Sequence, residues 1–127
     1  MITRQEILKG REVKYPLSPE QGRNLTVLLM VINKVREEWG QPMTVTSGYR
    51  PEELNSKIAN AAKKSSHTSC QAVDIADPDG KLYAWLTANN NAILIKYDLY
   101  LESRIDAPTW CHLQTRPIPS GNRVFRA

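Results

Sequence analysis

The chain offers a metal or a proton relay only two histidines, His67 and His112. Asp74 follows His67 by seven residues, at the start of a stretch that reads as a buried strand. His112 falls inside another stretch of strand character. Two imidazoles and one carboxylate can hold zinc and leave a fourth position for water. The spacing H-x6-D also arises by chance. Read blandly, the same residues are a surface histidine on a serine-rich loop and a second one hydrogen-bonded within a sheet.

A carboxylate can be placed beside this set from strand geometry. If the chain between Tyr100 and Gln114 is a hairpin centred on residue 107, Glu102 stands directly opposite His112. Opposed residues of an antiparallel pair share a face. Tyr100, Glu102, Trp110, His112 and Gln114 then lie on one side, and Leu99, Leu101, Cys111 and Leu113 on the other. The second set is core. The first puts a general base within reach of a metal-activated water, or is simply a solvated polar face.

The elements that must hold these residues can be read in part. Ser18-Pro19-Glu20-Gln21 is a capping box with proline at the first helical position. Leu25, Leu28, Leu29, Ile32, Val35 and Trp39 then recur at helical spacing, and Gly40 and Pro42 end the helix. Residues 43–47 read as a strand, and Gly48 as a sharp turn. A second helix is predicted from Pro51 to near Lys63 and Lys64. Residues 73–76 read as a strand closed by Asp77-Pro78-Asp79-Gly80. A short third helix carries Leu82, Trp85 and Leu86 and stops at Asn89-Asn90-Asn91. From Ile93 to Leu101 the residues alternate as in a strand, and 110–115 form its return. The fold class is α+β: a small, mainly antiparallel sheet packed by helices, with the candidate site on one sheet face.

Composition limits the alternatives. With 127 residues, 41% hydrophobic and 24% charged, the chain is expected to be one globular domain over 1–127, with an N-terminal segment 1–14 and a tail 116–127. The tail carries turn formers at Pro119, Ser120 and Gly121 and is read as closing over the site. The longest apolar run, residues 27–32, is far too short to span a membrane. Arg4, Glu6, Lys9 and Arg11 interrupt any signal peptide, so a soluble, cytoplasmic, monomeric product with two free thiols is expected. The net charge of +4 favours an anionic partner. The basic residues are scattered, which argues against nucleic acid.

Together, Ser47-Gly48-Tyr49-Arg50, Asn55, Ser65-Ser66-His67 with Ala72 and Asp74, and Trp110-Cys111-His112 read as S-G-Y-R … S-x-H-x6-D … W-x-H. This resembles the zinc D-alanyl-D-alanine carboxypeptidase family, which cuts peptidoglycan stem peptides, and in particular its short phage endolysin-type members. The resemblance implies His67, Asp74 and His112 as zinc ligands, Arg50 as the receptor of a substrate carboxylate, and Ser65 in the same pocket. A guanidinium fork suits that carboxylate better than an ammonium. It also implies an enzyme that waits in the host cytosol and acts on the cell wall after release.

Two departures stand out. Many members have glycine where this chain has Cys70, so the turn is made without it, and Cys70 is a further thiolate candidate for the metal. Many place the catalytic glutamate where this chain has Thr109. The base must then be Glu102, on the hairpin argument, or Asp106. That missing glutamate is also the best support for a different reading, a non-catalytic zinc-binding virion or structural module.

Overall fold

A computed structural model describes residues 1–58 and 65–127. In chain order the elements are α1 (Arg4–Leu8), α2 (Pro19–Trp39), β1 (Val45–Ser47), α3 (Glu52–Asn55), β2 (Ala72–Ala76), α4 (Lys81–Lys96), β3 (Tyr100–Glu102), β4 (Trp110–Gln114) and β5 (Val124–Phe125). The strands form one sheet in the order β1-β2-β4-β3-β5, antiparallel except for the parallel pair β3 and β5. The α+β class holds.

α2 forms as its sequence directs. The Ser18 hydroxyl accepts from the Gln21 N–H at 3.1 Å, and the Gln21 side chain accepts from the Ser18 N–H at 2.8 Å. Leu25, Leu28, Ile32 and Val35 are fully buried, and Trp39 meets Trp85 of α4 with ring centroids 5.0 Å apart. The start of the N-terminal segment is pinned to this helix. Asn33 accepts from the Ile2 N–H at 2.7 Å and donates to its carbonyl at 2.9 Å. α1 buries Ile7 and Leu8.

The sheet separates core from site by its two-residue period. Val73, Ile75, Leu101, Cys111 and Leu113 enter the core, while Asp74, Glu102, His112 and Gln114 point the other way, into one cavity. The register of the β3–β4 hairpin is the expected one, with Tyr100 opposite Gln114 and Leu101 opposite Leu113.

The strand expected from Ile93 is not there. α4 runs on to Lys96 and only Tyr100–Glu102 is strand. The apolar run 92–95 suits either element, and burial decides it: Leu94 is in the core while Ile95 is 57% exposed. The stop at the asparagines is real. Asn89, Asn90 and Asn91 all take left-handed backbone angles, which asparagine tolerates best among residues with a Cβ, and the helical path resumes beyond them. Of the helix expected over 51–64, Glu52–Asn55 is present, and Lys63 and Lys64 lie outside the described residues.

Candidate metal centre

β2 and β4 pair with Asp74 directly opposite His112, so the sheet alone sets these two side by side. His67 comes from the turn before β2. Backbone bonds from Thr68 N–H to Ser65, from Cys70 N–H to His67 and from Gln71 N–H to Ser66 wind that turn tightly. Cys70 closes it at φ 61, in the left-handed region that glycine would enter freely. α2 grips the same turn from outside: Gln21 donates to the Thr68 carbonyl at 2.8 Å and Asn24 to the Ser69 carbonyl at 3.0 Å. The long helix therefore holds the site as well as the core.

Among the described residues, His67, Asp74 and His112 form the one group of three ligand-type side chains that could hold a metal ion, their ligand atoms within 4.8 Å of one another. Asp74 Oδ1 lies 3.3 Å from His67 Nε2 and 3.0 Å from His112 Nδ1. Ligands of a tetrahedral zinc sit about 3.4 Å apart, given bonds of about 2.1 Å.

The outer nitrogens fix the tautomers. His67 Nδ1 donates to the Gly48 carbonyl at 2.9 Å, which leaves a lone pair on the buried Nε2, an atom with no hydrogen-bond partner. The Gln114 amide nitrogen donates to the Arg116 carbonyl at 2.8 Å, so its oxygen is the atom that faces His112 Nε2 at 2.8 Å. Ser66 Oγ donates to the same oxygen at 2.9 Å. His112 Nε2 therefore carries the proton, and Nδ1 of the neutral ring turns a lone pair toward Asp74. Three acceptors converging on one point require a cation among them, and metal-binding histidines hold their outer N–H on such partners. The residues fit zinc.

The electrostatics agree. Burial works against the charge of Asp74, yet the imidazoles of His112 and His67, wherever either ring takes up a proton, hold its carboxyl far below the usual range. Burial lowers the pKa of His67. It pulls His112 the same way, but the Asp74 carboxylate outweighs it, so that His112 is raised.

Around the ligands lies a cavity of about 720 Å³. Glu102 enters it with Oε2 3.9 Å from His112 Nδ1, its pKa raised chiefly by burial. Arg50 lines the same cavity, its Nε buried without a partner, and its backbone N–H donates to the His67 carbonyl at 3.3 Å. Desolvation lowers the guanidinium's pKa, though a guanidinium stays charged at any ordinary pH. Ser65 also lines the cavity, while its Oγ accepts from the His67 N–H at 3.1 Å. Asp106 lines it too, but its carboxylate is held by Arg126 at 2.9 Å and by the Ala127 N–H at 2.8 Å.

Cys70 is no part of the centre. Its side chain is fully buried in the hydrophobic core. Gly48 has a role beyond the turn. A Cβ there would stand 2.8 Å from the Ile7 Cα, so only glycine lets α1 press against the strand end whose carbonyl orients His67. Alternation puts Gln114 on the polar face without revealing its task there. Its position two residues after His112 on one strand face was the available signal.

No helix of the described residues is long and apolar enough to cross a membrane. Comparison with curated proteins and with solved structures finds no match. The family model described as Peptidase M15 matches residues 3–104. That match ends before β4, and it is the pairing of β4 with β2 that brings His112 to the other two candidate ligands. With most of its length matched, the chain belongs to the Peptidase M15 family, metallopeptidases of the zinc D-alanyl-D-alanine carboxypeptidase type.

Proposed function

We propose that this chain is a zinc peptidase that hydrolyses a peptide bond in the stem peptides of bacterial peptidoglycan, as a D-Ala-D-Ala carboxypeptidase or an L-alanyl-D-glutamate endopeptidase, with an endolysin-like role in lysis of the cell wall. The observation that carries the catalytic part is the convergence of three acceptors, His67 Nε2, Asp74 Oδ1 and His112 Nδ1, beside a carboxyl at 3.9 Å. His67, Asp74 and His112 would hold the metal. Zinc bound there supplies Lewis acidity and brings the pKa of a water toward about 7.

The chain's own groups do the rest. Glu102 takes the proton of the attacking water and delivers it to the leaving amine. Its raised pKa suits it to both halves of that transfer. Arg50, charged and with an unpartnered Nε, receives a substrate carboxylate and fixes the peptide relative to the metal. Asp106, already bonded to Arg126 and Ala127, is the poorer base. The net charge of +4 favours approach to an anionic wall polymer. A carboxyl beside the ligands also favours an enzyme over a non-catalytic zinc module, despite Thr109 at the family's glutamate position.

The test is a digest of purified sacculi with and without chelator, read by mass spectrometry of the released peptides. Wild type, His67→Ala and Glu102→Ala run side by side. Chelator-sensitive products, absent from both variants, are expected, and their masses identify the bond. No products from the zinc-loaded wild type would favour the binding module, and full activity in Glu102→Ala would return the base role to Asp106.

A further inference from the structure

After β4 the chain returns to the site it has just completed. β5 runs parallel to β3, with Val124 opposite Leu101 and Phe125 opposite Glu102. Backbone bonds hold it, among them Leu101 N–H to the Arg123 carbonyl and Ser103 N–H to the Phe125 carbonyl, both 2.7 Å. A strand of two residues has little stability of its own, and side chains tie down both its ends. Before it, Arg123 donates to Asp98 at 2.8 Å and to the Leu99 carbonyl at 3.2 Å, with its guanidinium 4.5 Å from the centre of the Tyr100 ring. Beyond it, Asp106 accepts from Arg126 at 2.9 and 3.4 Å and from the Ala127 N–H at 2.8 Å.

The result is a phenyl ring set edge-on to a ligand. The Phe125 and His112 ring centroids are 6.0 Å apart with planes at 84°. Phe125 is only partly buried and lines the cavity rather than the core. It thus presents an apolar surface in a cleft whose other walls carry Arg50, Glu102 and the ligands.

We propose that β5 is a latched wall of the substrate cleft. Asp106 is the positioning residue that holds the wall through Arg126 and Ala127, and Phe125 is the specificity-determining residue that limits which peptide side chain fits beside His112. The substrate class is a peptide with a small side chain next to the scissile bond. This specificity rests on the peptidase reading; the latch and the shielding of His112 do not.

Four variants test it: Asp106→Asn, Arg126→Ala, Phe125→Ala and Phe125→Leu. Arg126 is exposed, so its truncation carries no risk to the core and repeats the Asp106 test from the other partner. With the latch broken, amide exchange at Leu101 and Ser103 speeds up about fivefold, the loss of roughly one hydrogen bond's net worth. KM rises while kcat stays within about threefold, whereas loss of a general base would lower kcat by about 10² or more. In metal-free Phe125→Ala, diethylpyrocarbonate modifies His112 faster than in wild type, and Phe125→Leu stays close to wild type. On peptides with alanine or leucine at the scissile bond, Phe125→Ala shifts the kcat/KM ratio toward leucine about tenfold, within the range side-chain-sized pockets achieve.

Unchanged exchange in both latch variants overturns the latch. Unchanged His112 modification together with an unchanged alanine-to-leucine ratio in Phe125→Ala overturns the wall. A wild type that cleaves no peptide overturns the peptidase reading instead, and exchange and His112 modification then decide the latch and the wall alone.

Discussion

Asp74 Oδ1 stands 3.3 and 3.0 Å from two nitrogens, but it is the outer partners of those nitrogens that make the arrangement a candidate ligand set. Gln114 is the more vulnerable of these, since its oxygen, at 2.8 Å, is the nearer of the two partners of His112 Nε2, with Ser66 Oγ at 3.4 Å. Gln114→Leu keeps the volume and removes the acceptor. Zinc affinity, measured by competition with a chromogenic chelator, is expected to fall about 10–100-fold, the usual cost of losing such a partner. An unchanged affinity would mean that the ring is oriented by packing alone. The thiols give a second test at this scale. Burial pushes Cys70 up to about 11, and Cys111 rises further, by burial and by the nearby Asp77 carboxylate. The thiolate is the reactive form, so at pH 8 both should resist a disulfide reagent until the chain is unfolded. One thiol reacting at once in the native protein would contradict the burial of the cysteine that bears it, identified by mapping the label.

The elements differ in how readily they can be read. The capping box at Ser18 and the apolar face of α2 are local chemistry and survive into the structure unchanged. The register of the β3–β4 hairpin is equally legible, because alternation leaves one phase that buries Leu101, Cys111 and Leu113 together. That phase carries Glu102 to the side of His112. What failed was non-local. Ile93 and Ile95 alternate like strand residues, and only packing of Leu94 into the core makes 92–96 helical. β5 is two residues held by Asp98, Asp106 and β3, with no period of its own to detect. The hold of α2 on the turn was also invisible, since nothing local to Gln21 or Asn24 points to carbonyls 47 and 45 residues further along the chain. It leads to a prediction. Asn24→Ala should cost about 1 kcal/mol of stability, one hydrogen bond, and should weaken zinc binding as well, because the bond it loses steadies the turn bearing His67. Loss of stability with zinc affinity intact would make Asn24 a scaffold residue only.

Across the whole molecule the centre joins parts distant in sequence: the turn before β2, β2 itself, and β4 some forty residues later. A metal there links three segments that the unfolded chain leaves apart, so its binding energy is also folding energy. Protons compete for the same sites, and the signs can be worked out. Asp74 is depressed by its histidine partners, so its contribution to stability is present above its unfolded pKa and lost as acid protonates it in the folded state. His112 is raised by Asp74. Its contribution in the metal-free protein is complete below the unfolded value and disappears as pH rises through the folded one. His67 is lowered by burial, so its effect is opposite: folding loses stability as pH falls below its unfolded value, where the unfolded chain binds the proton more readily. Zinc needs both rings neutral and must displace the His112 proton at low pH. Its affinity should therefore rise about tenfold per pH unit while His112 is protonated in the folded protein. The expected outcome is a zinc-induced increase in Tm that is small at pH 6 and grows toward pH 8, measured by calorimetry at fixed free zinc. His112→Ala should remove most of the increase at every pH. A shift that is flat with pH, or largest at pH 6, would mean that zinc binds without the imidazoles and that the three converging acceptors are not its site.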